Sequence, residues 1–394
     1  MRGGTVMKKL FVLLVCLLAI VPVALAQTLT SGDYQYTLTE DHEAVITGYT
    51  GAETVLIIPA SLDGYPVIGL GNRSFSGTAV ERVTVPEGVR EIQHMAFAQT
   101  PLQEVSLPST LRYLGSGVFN DTPMTTLVLP EGLEELACAP VTNRVLETYV
   151  WPYSLKKVNV GTYSPSVLEP DIPADHPCFM YVDGMLIDKT TMTLVGYQNK
   201  RPDSALTIPE GVRRLGAHAI DDAYNLKSLT LPSTLEVIES DAIVRSNIQE
   251  LVLPEGLQKI ASGGINRNAV DAVVLPHLSI VIEEGGLGGA PFSVINTEPG
   301  LMRLEDGMLI HTAEKRLVGY TPAAAKSRVT LPAGIESIDA LAFARNTTIV
   351  YLTIPEGVKR IGSNAFYSCD NLVSVTFPSP WRALRIRPSI SARP

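Results

Sequence analysis

Cysteine is scarce in this chain, with 4 in 394 residues, and histidine little commoner, with 6. No C-x-x-C pair occurs, so the usual zinc spacings are absent. The histidines (His42, His94, His176, His218, His277 and His311) are scattered, with no HExxH pattern. If residues 1–26 are removed, three cysteines remain: Cys138, Cys178 and Cys369. An odd, sparse set is no disulfide framework and reads as small buried thiols. Charge is low too, at 18% of residues with a net −9. A nucleic-acid partner needs clustered Lys and Arg, so that class is set aside. Nucleophile elbows and Cys/His constellations are missing as well. "EEGGLGG" (283–289) only mimics a phosphate loop, because no βαβ unit surrounds it. No cofactor, metal site or catalytic residue is expected.

Hydrophobic residues are plentiful at 45%, enough for a large buried core. The longest apolar run comes first. Lys8 and Lys9 precede an apolar stretch from Leu10 to Val21, then Ala24-Leu25-Ala26. That is a secretory signal with cleavage near Ala26, and it leaves no transmembrane segment in the mature chain. Removing residues 1–26 takes Arg2, Lys8 and Lys9 and no acid, so the charge moves from −9 to −12. A secreted or extracellular surface location follows.

Prolines then set a rhythm. Pro86, Pro108, Pro130 and Pro152 stand 22 residues apart. Pro209, Pro232, Pro254 and Pro276 follow at 22–23, and so do Pro332, Pro355 and Pro378, with Pro59 as a longer first unit. Apolar residues recur one and three before each proline, and three, six and eleven after it. A short strand, a proline-led turn and a return path make one unit, and stacked units share a core. "LPSTL" (107–111 and 231–235) spells the start of a cell-wall sorting signal. Leu111 and Leu235 nevertheless fill the core slot that "LPEGL" fills elsewhere, so the motif is a turn of the repeat.

"LTIPEGVKRIGSNAFYSCDNLVSVTFP" (352–378) resembles the BspA-like leucine-rich repeats of secreted and surface proteins, and the resemblance covers most of residues 34–378. The expected fold is a β-rich solenoid of leucine-rich repeats of 22–23 residues, in three blocks with β-hairpin inserts. The expected organisation runs as a signal peptide (1–26), an N-terminal hairpin cap (27–58), block 1 (59–160), an insert (161–205), block 2 (206–285), an insert (286–325), block 3 (326–378) and an irregular basic tail (379–394). The inserts match each other as "DGMLIDKTTMTLVGY" (183–197) and "DGMLIHTAEKRLVGY" (306–320), and "ITGY" (46–49) looks like a degenerate third copy. Asp-Gly between alternating runs signals a hairpin; a calcium reading lacks the acidic cluster such a loop requires.

Solenoids bind through extended surfaces. Positions two and four before each proline should face outward, and they are mostly Thr, Ser and Val. Thr126, Val128, Val150, Val252, Val274 and Tyr351 are the candidate contact residues, with Tyr149 and Trp151 as aromatic anchors. The resemblance implies a non-catalytic protein that adheres to host matrix proteins or to other cells. The alternative is a carbohydrate-binding or envelope scaffold module that takes a surface glycan.

Overall fold

The computed structural model describes residues 27–137, 148–159, 170–197, 202–266, 269–321 and 326–377. The signal segment, Cys138 and the basic tail lie outside them. Every regular element among the described residues is a strand. Each repeat contributes two. The first precedes the proline, as in Arg82–Thr84, Glu104–Ser106 and Ser228–Thr230, and stacks on its neighbours in parallel register to form a face ladder. The second is only two or three residues long, as in Glu91–Ile92, Tyr113–Leu114 and Glu135–Ala137, and forms a parallel back ladder.

The period-2 pattern sorts side chains as the proline rhythm implies. In Arg82–Thr84, Ser228–Thr230 and Arg328–Thr330 the middle residue is buried and its neighbours are exposed. The residues eleven after the proline, Phe97, Phe119, Phe343 and Phe366, stack in columns that other rings extend. Tyr49, Phe75, Phe97 and Phe119 follow one another with ring centroids 5.4, 5.0 and 6.0 Å apart, and Tyr320, Phe343 and Phe366 repeat the device at 5.4 Å. Offset ring pairs add to their area burial.

Three antiparallel meanders divide the solenoid. They comprise Leu29–Ser31, Tyr34–Leu38 and Ala44–Tyr49, then Phe179–Val182, Met185–Asp188 and Thr193–Tyr197, then Met302–Glu305, Met308–His311 and Arg316–Tyr320. The third strand of each pairs in parallel with the first strand of the next back ladder. All three carry the same bulge, which skips Thr47, Val195 or Val318 just before the Gly-Tyr pair.

The inserts are therefore walls between blocks and not appendages on a solenoid. Leu186 and Val195 belong to the first core, while Met185, Ile187, Leu194 and Tyr197 belong to the second. Met302, Leu309 and Val318 close the second core, and Met308, Ile310, Leu317 and Tyr320 open the third. Two block limits shift as a result. Val55–Ile57, assigned from sequence to the cap, is the first rung of the face ladder. Phe292–Val294, assigned to the second insert, is a rung of the second block.

The walls also carry the polar joints. His176 is fully buried; its Nε2 lies 3.0 Å from the Pro152 carbonyl, and its Nδ1 accepts the Cys178 and Phe179 amides. Burial holds this imidazole below its ordinary pKa, in the neutral form that pattern requires. At the second wall Arg316 reaches the Ile282 carbonyl of one block and Asp339 of the next. Arg360 meets Glu284 across the same seam at 2.6 Å.

Candidate interaction surface

The face ladder gathers the outward residues of successive repeats into columns. Thr126 and Thr148 are in register, as are Val128 and Val150. In the second block Glu250 pairs with Ala272, and Val252 with Val274. Both valine pairs expected from sequence are thus side by side. Val128 is 66% exposed and Val252 52%, while Val150 is less open and Val274 half-buried. Thr330, Thr353 and one further threonine, Thr376, stand in register in the third block. Tyr351 is 39% exposed, and the Arg328 guanidinium lies over its ring at 4.0 Å.

The columns do not merge into one sheet. Val128 with Val150, Val252 with Val274, and Tyr351 fall on three different sheets. The ladder also breaks inside the first block, between Glu104–Ser106 and Thr126–Val128. Tyr149 lies in the Thr148–Val150 strand. Trp151 is a correction. It is 1% exposed and packs edge-on against Phe179 at 5.4 Å, so it cannot anchor a surface ligand. Its place directly before Pro152 is a core slot in every repeat, and that rule overrides any preference of tryptophan for interfaces.

Two features are missed by sequence reasoning. The first is Val55 and Ile57, 52% and 75% exposed. They stand four and two before Pro59, so the same proline rule finds them once it is applied to the longer first unit. A shallow groove runs beside them, lined by Val55, Arg82, Thr84, Glu104 and Ser106.

The second is the chemistry of the turn. In "LPSTL" the Ser109 amide and hydroxyl both donate to Glu87 of the preceding repeat, each at 3.0 Å. Thr110 Oγ1 accepts the Gly88 amide at 2.9 Å and donates to the Val89 carbonyl at 2.9 Å. Ser233 and Thr234 repeat the clasp on Glu210, Gly211 and Val212. Tyr153 and Ser154 make a similar clasp on Glu131, Gly132 and Leu133, in which Tyr153 gives Glu131 only its amide and turns its hydroxyl to Asp175. Gly88 and Gly211 hold φ of +103° and +96°, which aims their amides at the next turn. Hydrogen bonds from the Ser109 and Ser233 backbones lead the causes that hold Glu87 and Glu210 below the usual carboxylate range.

Among the described residues, no three His, Cys, Asp or Glu side chains stand together as a metal site would need. No helix among them is long and apolar enough to cross a membrane. The outward positions of the face ladders are rich in Thr, Ser and Val, with Arg82, Glu104, Glu250 and Arg328 among them.

No curated protein matches the chain. Among solved structures, a leucine-rich repeat protein from Eubacterium ventriosum is 16% identical with a TM-score of 0.53, covering 90% of this chain and 97% of its own. The pneumococcal vaccine antigen PcpA is 15% identical with a TM-score of 0.48, covering 86% and 98%. A leucine-rich cell surface protein from Faecalibacterium prausnitzii is 18% identical with a TM-score of 0.34, covering 89% and 76%. The first of these shares the fold. The model of the BspA-type leucine-rich repeat region matches residues 63–168, 197–289 and 324–386 in 6 copies, more than half of the sequence. The chain belongs to the BspA-type leucine-rich repeat family.

Proposed function

We propose that this protein is a secreted or surface-displayed adhesion module, non-catalytic, that holds a protein ligand of a host matrix or of another cell against its face ladder. One observation carries the reading: outward columns made mostly of hydroxyl and β-branched side chains, with exposed Val128 in register with Val150 and exposed Val252 in register with half-buried Val274. Such a patch desolvates at little cost, since few charges have to be stripped of water. Membership of the BspA-type family supports a protein-binding role at a surface.

The test is retention of the mature chain on immobilised matrix proteins. Val128→Lys and Val252→Lys are each expected to weaken binding about tenfold, the effect of placing an unpaired charge in a contact, with unchanged thermal unfolding. No retention on any matrix or cell-surface protein, or full retention by both variants, overturns the reading. The glycan alternative rests on Tyr351, whose exposed ring offers a stacking surface. Binding on a sugar array that Tyr351→Ala removes would favour it instead.

A further inference from the structure

The face ladder has a free edge at its first rung. Val55–Ile57 pairs with Arg82–Thr84 on one side, and no described strand pairs with it on the other. The Arg82 amide donates to the Thr54 carbonyl and the Ile58 amide to the Thr84 carbonyl. Alternation along the strand therefore turns the Leu56 backbone inward and the amides and carbonyls of Val55 and Ile57 outward. Sheet edges are usually blunted by charge, proline or a bulge. Only Glu104 and Arg328 put charge on another terminal rung of the described face ladders; the remaining ones carry at least one hydroxyl, from Thr126, Thr148, Thr207, Ser293, Ser374 or Thr376. "VLI" (55–57) carries neither and includes Ile57, the most exposed large apolar residue of the described chain.

The cap that precedes this edge is acidic, although Arg82 stands in register with Val55 and Arg90 pairs with Glu43. Residues 27–72 hold six acids (Asp33, Glu40, Asp41, Glu43, Glu53 and Asp63) and no Lys or Arg. Glu53 stands two residues before Val55, the Asp33 carbonyl accepts the Thr50 amide, and the Glu81 amide donates to Thr54. Arg82 sits one rung further in, beyond Val55. A second copy pairing edge to edge would bring two such acidic caps together, which like-charge repulsion opposes.

We propose that Val55–Ile57 is a strand-addition site for an extended basic peptide, in which β-branched residues alternate with Lys or Arg. Main-chain hydrogen bonds from Val55 and Ile57 supply the docking, the apolar side chains extend the face ladder by one rung, and the cationic residues meet the acidic cap. This goes beyond the reading of the strand face, because it uses the backbone edge. The test titrates the mature chain with a short synthetic peptide alternating Val and Lys, read by fluorescence anisotropy and by amide hydrogen exchange. Saturable binding is expected, with slowed exchange at Val55 and Ile57. A Val/Glu peptide should not bind. Ile57→Lys should weaken binding at least about tenfold, the scale on which removing one well-packed apolar side chain acts. Ile57→Pro removes the outward amide and should do the same. Absent binding, equal binding to Ile57→Lys, or a peptide-free dimer of the chain overturns the proposal. If the peptide fails while the chain still holds a matrix protein, the edge reading falls and the face reading stands.

Discussion

At single residues the fold carries strain in one repeated slot and bears a few buried charges. Nine residues after the proline the backbone turns left-handed in repeat after repeat. Gly117, Gly263 and Gly285 occupy that slot at φ near +61° to +70°, but Met95 and Leu341 hold it at +55° and +62°. A bulky side chain there costs about 1–2 kcal/mol, partly offset by the lower freedom it leaves the unfolded chain. Met95→Gly is therefore expected to stabilise the protein by about 0.5–1 kcal/mol in urea unfolding. Asp339 behaves differently. It is fully buried, and burial lifts its carboxyl to about 6 even though Arg316 pulls the other way. A folded-state value above the ordinary carboxylate one means stability is fully present below about pH 4 and is lost as pH rises through about 6. The loss is on the order of 3 kcal/mol. Asp339→Asn should lack this component, so the stability difference between the two proteins should change between about pH 4 and 6 and stay flat above about 7. A constant difference across that range would remove Asp339 from the account.

At the level of the element, the turn clasp does what backbone ladders alone cannot. Proline removes a donor from each face strand, and Thr110 and Thr234 bind consecutive turns just where the ladder stops. Thr110→Val or Thr234→Val keeps the shape and strands a glycine amide without its acceptor. Each is expected to cost about 1–2 kcal/mol, measured by thermal unfolding; no loss in either would mean water replaces the hydroxyl. The repeat itself was legible, because proline spacing and two-residue alternation follow from backbone geometry. The clasp was not, since it links Glu87 to Ser109 across 22 residues and only stacking brings the two together. The walls were half legible. Leu186 and Ile187 are adjacent apolar letters in a strand, and period 2 sends them to opposite faces, so both faces had to be buried. Trp151 reads as an anchor from its place at the end of a block, but the slot directly before the proline is a core slot there too.

Across the whole molecule, the same meander plays two parts, and polarity decides which. In the two internal copies the residues opposite and beside the bulge glycine are Leu186 with Val195 and Leu309 with Val318, all buried. In the first copy the matching residues are Gln35 and Thr47, both exposed. The N-terminal meander is thus a cap because its outer face is wet, as solenoid ends require. Gln35→Leu with Thr47→Val should make that face resemble an internal wall and produce concentration-dependent association in sedimentation velocity. A chain that stays monomeric would show that the polar pair is not the barrier. The walls also bear on inheritance. Asp183 to Pro209 and Asp306 to Pro332 span the same 26 residues, so each wall joins the first repeat after it in the same register. Each cassette of wall and following repeats brings its own near wall and borrows its far wall from the next. A duplication that copies one cassette whole creates a new seam already lined on both sides, and the gene can lengthen without any change to the residues at its joints.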